Sequence, residues 1–445
     1  MRSGVGQGEG KPSIMKLQFY FALGLLITAV ELTASSLPDL VLPQTVGVNI
    51  HFTRGHERDL DLIAEAGFRV VRMDFGWAGT ERHKGEFDWS AYDELTAGLE
   101  KRGLLPYYIL DYSNPLYEET VISRNPIDGR EQKSLASPQH PESVAAFARW
   151  AAAAVDHFRE HAIIWEIWNE PNISFWKPKP NVEQYIALVR ATTAAMRRMK
   201  ADAIIVAPAT SEVPVPFLET FFKSGALAWI DAVSVHPYRN YSKPPETAAE
   251  DYGKLRDLIA RHAPPGKASI PILSGEWGYA THQRGVSLET QAAFLVRQQL
   301  ANLMEGIPVS IWYDWKNDGP DPKEREHNFG TVTQDLLAKP AYEALQVMAK
   351  ELNGYRVDRR LKTDSPRDYV LWMHRENHPP KLAGWTLDDS HDIALKWSHP
   401  TKGELSGMSG TGRKLTVTIT EGNCALPLAS LPAYFQATAD AVSFP

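Results

Sequence analysis

The chain has 445 residues, of which 43% are apolar and 23% charged, as in an ordinary soluble globular protein built from a barrel-sized domain and an appended module. Its net charge of -7 comes with dispersed Lys and Arg residues, which excludes a basic surface for nucleic acid. The single cysteine, Cys424, excludes an internal disulfide and a cysteine-based metal cluster.

The first 36 residues are predicted to be an export signal or a membrane anchor. Lys11 and Lys16 precede an uninterrupted apolar run over 19–30, which is short for a bilayer span and typical of a signal peptide. Ala34 and Ser36 are small enough to mark a cleavage site. We therefore expect the bulk of the chain to be exported, with this segment either cleaved as a signal or kept as a membrane anchor. We also expect the protein to be a monomer.

Eight short β-prone apolar runs follow, separated by longer segments with helical periodicity. The runs are residues 46–52, 68–75, 104–112, 162–169, 203–208, 231–236, 270–277 and 307–315. The helical patterns include residues 58–67, 90–103, 142–160, 181–199, 287–306 and 340–352. This alternation over 37–352 predicts an α/β fold, a (β/α)8 TIM barrel, in which the carboxyl ends of all strands face one mouth.

The pattern changes after residue 352. Residues 353–445 hold short β-prone runs separated by Gly, Asn, Asp and Pro turns, which predicts a small antiparallel β domain, similar to a sandwich. Trp372, Trp385 and Trp397 are candidates for carbohydrate binding in this domain. We favour a structural role for them, because isolated tryptophans of β domains usually lie in the core.

Two glutamates each close a buried strand. Glu170 follows the fourth strand in "WNEP", and Glu276 ends the seventh strand in "SGEW". Side chains from the upper ends of these strands can converge across the lumen, and two opposed carboxyl groups are what glycosidic cleavage needs. Repulsion between them and partial burial keep one protonated while the other stays ionised. We assign Glu170 as acid/base and Glu276 as nucleophile.

Further polar and aromatic side chains are predicted to surround this pair. Asn169 is placed to bind a sugar hydroxyl, while Tyr238, His236 and Arg72 are placed to hold the nucleophile ionised. The remaining predicted binding residues are a polar group at the end of the first strand and three tryptophans that would form a stacking platform: His51, Trp312, Trp176 and Trp277. Other acids are read as interior or supporting groups: Glu166, Asp74, Asp111 and Asp314.

Metals and cofactors are not expected. The fourteen histidines show no His-Glu-x-x-His pattern or comparable ligand spacing, so no metal site is predicted. Neither a P-loop nor a Gly-x-Gly-x-x-Gly stretch lies between a strand and a helix, which argues against a nucleotide cofactor.

The motifs resemble those of the clan A retaining glycoside hydrolases. "WNEP" at 168–171 resembles the acid/base motif of that clan, and "GEW" at 275–277 its nucleophile motif. Supporting matches are "HPY" at 236–238, "KGEFDWSAYDEL" at 84–95 and "IWYDW" at 311–315. Within the clan the sequence is most similar to family 39, and in particular to the glycosidases of bacterial biofilm exopolysaccharide gene clusters. That likeness implies an endo-acting hydrolase of a mannose-rich exopolysaccharide, located in the periplasm either free or anchored to the inner membrane.

Three functional hypotheses remain open. The first is an endoglycosidase with a long open cleft, and the second is an exo-acting glycosidase of the xylosidase type, whose loops close the cleft into a pocket. The long loops 111–142 and 313–330 could build either shape. The third is a non-catalytic carbohydrate-binding or biosynthesis-complex protein. The presence of both glutamates argues against it, because a binding protein has no need for two convergent carboxylates.

Overall fold

The computed structural model describes residue 4 and residues 36–124, 130–397, 402–437 and 442–443. Apart from residues 4 and 36, the predicted export segment lies outside the described residues. Within the described ranges, no helix is both long enough and apolar enough to cross a membrane.

Eight parallel strands close into a barrel, as the sequence predicts. They pair in the order β1-β10-β9-β8-β7-β6-β3-β2, and β1 also pairs with β2. Their bounds are β1 Val46–Asn49, β2 Val70–Gly76, β3 Leu105–Asp111, β6 Ile164–Ile167, β7 Ile204–Ser211, β8 Ala232–His236, β9 Ile272–Trp277 and β10 Ser310–Trp312. Each of the eight predicted runs overlaps one of these strands, although β2 extends one residue and β7 three residues beyond the predicted run.

A two-stranded hairpin was not foreseen in the long loop after β3. Its strands are β4 Thr120–Arg124 and β5 Glu131–Leu135, which pair antiparallel. The sequence "EQKSL" of β5 has neither apolar alternation nor a β-branched residue, so it carries no strand signal. The hairpin stands beside the barrel mouth, where it can shape a binding site.

Helices surround the barrel and follow most of its strands. They are α1 Glu57–Ala66, α2 Trp77–Thr80, α3 Ser90–Glu100, α4 Pro141–His157, α5 Val182–Met199, α6 Val215–Lys223, α7 Ala248–His262, α8 Leu288–Met304 and α9 Pro340–Glu351. Short 3-10 turns span Ala226–Ala228, Pro245–Thr247 and Glu326–Asn328. Side-chain caps mark two helix starts: Asn181 accepts from Gln184 N at 3.1 Å, and Ser287 from Thr290 N at 3.1 Å. The sequence had not singled out α6 and α7.

The lumen of the barrel is filled in layers, and the layering places polar groups at one end. The apolar layer comprises Val70, Tyr107, Ile164, Ile204, Val206, Ala232, Leu273, Val309 and Ile311. Side chains on one face of a strand recur every second residue, so the next positions towards the carboxyl ends hold Arg72, Glu166 and Ser234. The polar side chains therefore lie between this apolar layer and the mouth at the carboxyl ends of the strands.

The C-terminal region folds as antiparallel β-sheets, as predicted. A six-stranded sheet has the order β11-β12-β13-β18-β15-β16, and a three-stranded sheet the order β17-β14-β19. The strands are β11 Arg356–Arg360, β12 Asp368–His374, β13 Lys381–Thr386, β14 His391–Trp397, β15 Gly403–Met408, β16 Lys414–Ile419, β17 Asn423–Leu428, β18 Ala433–Gln436 and β19 Val442–Ser443.

The β domain packs on the barrel through a buried tryptophan and an ion pair. The indole of Trp385 is fully buried and stacks on Tyr369, with ring centroids 4.9 Å apart. Its Nε1 donates to Glu246 at 2.8 Å, and Glu246 also accepts two hydrogen bonds from Arg297 of α8. Trp372 is buried as well, whereas the side chain of Trp397 lies outside the described residues. Trp385 and Trp372 thus have the core position expected of structural residues.

Candidate active site

Glu170 and Glu276 meet at the barrel mouth. Glu276 is part of β9, and Glu170 lies three residues beyond the end of β6. A carboxylate oxygen of each, together with a ring nitrogen of His236, lie within 4.8 Å of one another. Glu170 is buried, while the side chain of Glu276 retains 12% exposure. The structure therefore brings together the two groups that the motifs singled out.

The turn that presents Glu170 has an unusual backbone. Trp168 and Glu170 both adopt positive φ angles, 67° and 46°, which non-glycine residues rarely do. The turn is held by its neighbours: Glu170 N donates to Ala209 O at 3.0 Å, and Tyr185 Oη donates to Ile167 O at 2.8 Å. Such left-handed residues cluster at functional sites, because the surrounding fold must over-determine them. The twisted backbone thus aims the buried carboxyl group of Glu170 towards Glu276.

Arg72 links the interior to the mouth. Its guanidinium donates to Glu166 Oε1 from Nε at 2.9 Å and from Nη2 at 2.5 Å. It also donates to Glu276 Oε2 at 2.6 Å and to Asn49 Oδ1 at 3.1 Å. Glu166 is fully buried and accepts a further hydrogen bond from Tyr107 at 2.6 Å, so it is the paired interior charge that the sequence suggested. Arg72 is buried to the same degree.

The surroundings of Glu276 favour its ionised form. Tyr238 Oη donates to Oε1 at 2.8 Å while Arg72 holds Oε2. Burial acts to raise the pKa of Glu276, but the charge interactions with His236 and Arg72, with the hydrogen bonds from Tyr238 and Arg72, outweigh burial and leave the pKa below its usual value. Glu276 is thus equipped to stay a carboxylate in mildly acidic solution.

Removing the Tyr238 hydroxyl should move the acidic limb of the pH–activity profile. Because the Glu276 pKa lies below 4.5, its ordinary value, the carboxylate persists at pH 4.5 and somewhat lower. Activity that needs this carboxylate is lost only as the pH falls through the lowered pKa. Tyr238→Phe removes one hydrogen-bond donor that stabilises the carboxylate, so the Glu276 pKa should increase. We expect the acidic limb to shift to higher pH by up to about one unit. The measurement is kcat/KM between pH 3 and 8, with Tyr369→Phe in the β domain as the control. An unmoved limb would contradict this role for Tyr238.

His236 holds Glu170 from the opposite side. Its Nδ1 lies 2.9 Å from Glu170 Oε1, and its Nε2 lies 3.4 Å from Arg72 Nη2. The ring is fully buried against Gly275, where an added Cβ would stand 2.2 Å from Ser234 Oγ and 3.2 Å from the imidazole. The glycine of the "GEW" motif is therefore explained by the close approach of His236. The sequence predicts that His236 helps to hold the nucleophile ionised. Its hydrogen bond goes to Glu170, while its charge interaction with Glu276 acts in the predicted direction.

Asn169 is fixed by two hydrogen bonds. Its Oδ1 accepts from Arg72 Nη2 at 2.9 Å, and its Nδ2 donates to Tyr112 Oη at 3.1 Å. Tyr112 was not predicted as a site residue, although it directly follows the end of the third strand. Its neighbour Asp111 is fully buried, and burial together with the charge of Asp74 holds the Asp111 pKa well above its usual value.

His51 and Asp314 form a second charged pair at the mouth, with His51 Nε2 3.5 Å from Asp314 Oδ2. Burial raises the pKa of Asp314 to about 7, against the opposing effect of His51. Burial lowers the His51 pKa, but the hydrogen bond and charge of Asp314 outweigh it and raise the value to about 9. A cavity of about 240 Å³ opens beside this pair.

Within the part of the chain that the structure describes, two groups of three side chains have the spacing of a cation site: His51–Asp314–Asp318 and Glu170–His236–Glu276, each with ligand atoms within 4.8 Å. The expected absence of a metal stays a prediction.

The three predicted platform tryptophans do not offer a stacking face. Trp312, Trp277 and Trp176 are all fully buried. Trp176 packs against Trp168 with centroids 5.1 Å apart and donates from Nε1 to Gln184 at 3.1 Å, while Trp277 and Trp312 pack around Tyr279. This corrects their predicted placement at the surface, and the reason is that the loops beyond the strands close over them. A neighbouring aromatic, Phe175, is 42% exposed instead.

Comparison with known proteins decides the family. The model of "Cellulase (glycosyl hydrolase family 5)" matches residues 39–319, well over half of the chain. The chain belongs to this family. The matched segment covers the whole barrel up to β10 and includes both glutamates. The prediction of a clan A glycoside hydrolase is thereby confirmed.

Relatives of this cellulase-family chain are distant. A curated β-xylosidase from Caldicellulosiruptor saccharolyticus is 24% identical over 247 residues, which are 48% of this chain and 48% of that protein. The match thus spans only about half the length of that relative.

Solved structures share the fold. A family 39 glycoside hydrolase from Bacteroides cellulosilyticus WH2 superposes with a TM-score of 0.74 at 23% identity, covering 89% of this chain and 81% of the other. A monomeric β-xylosidase from Caulobacter crescentus CB15 gives 0.62 at 16% identity, covering 93% and 98%. The expected likeness to family 39 is therefore present in the fold, while the matching family model is that of family 5.

Proposed function

We propose that the protein is a retaining glycoside hydrolase that cleaves within the chain of a bacterial exopolysaccharide. The observation that carries the proposal is the Glu170–Glu276 pair, whose nearest oxygens lie within 4.8 Å. Retaining enzymes hold their carboxyl groups about 5–5.5 Å apart, whereas inverting enzymes leave about 6.5–9.5 Å for a water molecule. The spacing therefore supports a double displacement.

The contacts divide the two roles. Glu276 receives hydrogen bonds from Arg72 and Tyr238, which favour the ionised nucleophile. It attacks the anomeric carbon while Glu170 gives its proton to the leaving oxygen, and a covalent glycosyl-enzyme forms. Glu170 then acts as base towards a water molecule that releases the sugar. His236 orients Glu170 through both steps.

Cavities on two sides of the carboxylates support endo action. One, of about 240 Å³, lies at β1 and β10 beside His51 and Asp314. The other, of about 230 Å³, lies near the ends of β3 and β6 beside Tyr112. In the closed barrel these strand pairs are separated by β2 on one side and by β9, β8 and β7 on the other. A polysaccharide that crosses the catalytic pair therefore meets space at both ends. An exo-acting enzyme needs space for more than one sugar on one side alone.

The substrate and location are part of the same proposal. The motif resemblance favours a mannose-rich exopolysaccharide of a biofilm matrix as substrate. The apolar N-terminal segment favours export to the periplasm, with or without an anchor in the inner membrane. The protein acts as a monomer without a cofactor.

An exo-acting β-xylosidase is the second candidate. It is favoured by the curated relative and by a solved neighbour, both of which are named β-xylosidases. A non-catalytic carbohydrate-binding protein is the third, and it leaves the paired carboxylates and their hydrogen-bond partners without a purpose.

Product analysis separates these candidates. The protein is incubated with mannose-rich exopolysaccharide, with β-1,4-mannan and with β-1,4-xylan, and reducing ends, product lengths and the anomer first released are followed. We expect oligosaccharides with retained configuration. Xylose as the sole early product would favour the exo-xylosidase, an inverted anomer would overturn the double displacement, and no new reducing ends from any polymer would overturn hydrolysis.

A further inference from the structure

An aromatic cavity lies beside the candidate acid, and none of the assigned catalytic groups lines it. Its volume is about 230 Å³, below the roughly 300–1,000 Å³ of sites for drug-sized ligands. Its walls combine aromatic and aliphatic side chains with hydroxyl groups, including Ser134 and Ser137. A cavity of this size and mixed lining suits one ring that is apolar on its face and polar at its edge.

Three separate segments build the cavity. Tyr112 comes from the loop after β3, Leu135 from strand β5 of the hairpin, and Phe175 from the loop after β6. The rings of Phe175 and Tyr112 lie nearly parallel, with centroids 6.0 Å apart and 13° between their planes. Phe175 remains 42% exposed in spite of this packing. An exposed flat aromatic face at a barrel mouth is suited to stacking against a sugar ring.

Trp168 adds an unsatisfied hydrogen-bond donor to the wall. Its side chain is 1% exposed, and its indole Nε1–H has no hydrogen-bond partner among the described residues. Buried polar groups nearly always find a partner, and those without one call for a ligand or water. A sugar ring in this cavity packs on Phe175, and Trp168 closes the inner wall.

The cavity adjoins the loop that carries the candidate acid. Tyr112 in its wall accepts a hydrogen bond from Asn169, the residue before Glu170. Phe175 lies only five residues beyond Glu170 on the same loop. Since the acid protonates the leaving oxygen, the sugar that departs lies on this side of the scissile bond.

We propose that this cavity, formed by Tyr112, Leu135, Trp168 and Phe175, binds the first sugar on the leaving-group side of the scissile bond. The inference rests on the proposed hydrolase function and refines it, because it names where the departing chain is held. Phe175 supplies the stacking face and therefore sets the preference for substrates that extend beyond the cleaved bond.

The test compares substrates with and without a sugar in that position. The full chain and its Phe175→Ala, Phe175→Trp and Met199→Ala variants are assayed on β-1,4-mannohexaose and β-1,4-xylohexaose, and on β-mannosyl and β-xylosyl fluoride. Met199 is a matched control, since it is also an exposed apolar residue but ends α5 on the far side of the barrel. We expect Phe175→Ala to lower kcat/KM at least tenfold more for the hexasaccharide than for the fluoride. Phe175→Trp should keep kcat/KM for the hexasaccharide near the wild-type value.

A binding measurement keeps the proposal testable without catalysis. Calorimetry on Glu276→Gln and on Glu276→Gln/Phe175→Ala should show the hexasaccharide dissociation constant rising about tenfold in the double variant. The subsite would be overturned if Phe175→Ala lowered kcat/KM equally for the hexasaccharide and the fluoride. It would also be overturned by an unchanged dissociation constant in the double variant, or by no binding of either hexasaccharide. Binding that depends on Phe175 without any cleavage would support the subsite and count against the hydrolase function alone.

Discussion

Glu276→Gln should abolish glycoside hydrolysis while the protein stays folded. The amide has the shape of the carboxylate and can still accept from Tyr238, but it carries no charge and cannot form the glycosyl-enzyme. Loss of a nucleophile that acts together with its partners lowers kcat by roughly 10⁴- to 10⁶-fold. Arg72 retains Glu166 as its counter-ion, so the thermal unfolding midpoint should change little.

The measurement is kcat on the polymer that wild type cleaves, with Glu160→Gln as control because Glu160 is exposed after α4. A second variant, Glu276→Gly, opens space on the attacked face. Added azide should then restore turnover and yield a glycosyl azide of inverted configuration. A Glu276→Gln enzyme within tenfold of wild type would show that another group attacks the sugar.

The barrel was predictable because its signals are local. Each strand is a short apolar run, and each helix repeats apolar residues every three or four positions. The glutamate pair was predictable for a related reason: a parallel barrel gathers the ends of all its strands at one mouth, so Glu170 and Glu276 converge however far apart they are in the chain.

The surroundings of the pair could not be read in the same way. The burial of Trp312 and Trp277 depends on how closely the chain segments that follow them pack together. At Gly278, directly after Trp277, an added Cβ would stand 1.9 Å from Tyr313 O. The partner of His236 depends on the twisted turn at Glu170, which no sequence period encodes. Strand β5 of the hairpin, which supplies part of the aromatic cavity, is mostly polar and exposed and so carries no strand pattern. Contacts between loops are decided by tertiary packing alone.

Arg72→Met should both destabilise the protein and inactivate it. Arg72 is the buried cation between Glu166 and Glu276, and it also holds Asn49 and Asn169. Removing one partner of a buried ion pair leaves an uncompensated charge and typically costs about 3–5 kcal/mol. Urea unfolding followed by tryptophan fluorescence should show this loss. Arg54→Met is the control, because Arg54 and Glu94 form a half-exposed pair and such pairs contribute about 0–1 kcal/mol.

A double variant separates the two effects of Arg72. In Arg72→Met/Glu166→Gln the unpaired interior charge is gone, while Tyr107 can still donate to the amide oxygen. We expect the free energy of unfolding to recover in part, because the charge that lacked a partner has been removed. Activity should not recover, since Glu276 still lacks the guanidinium that favours its ionised form. If the double variant regained activity along with stability, Arg72 would act on catalysis only by keeping the barrel folded.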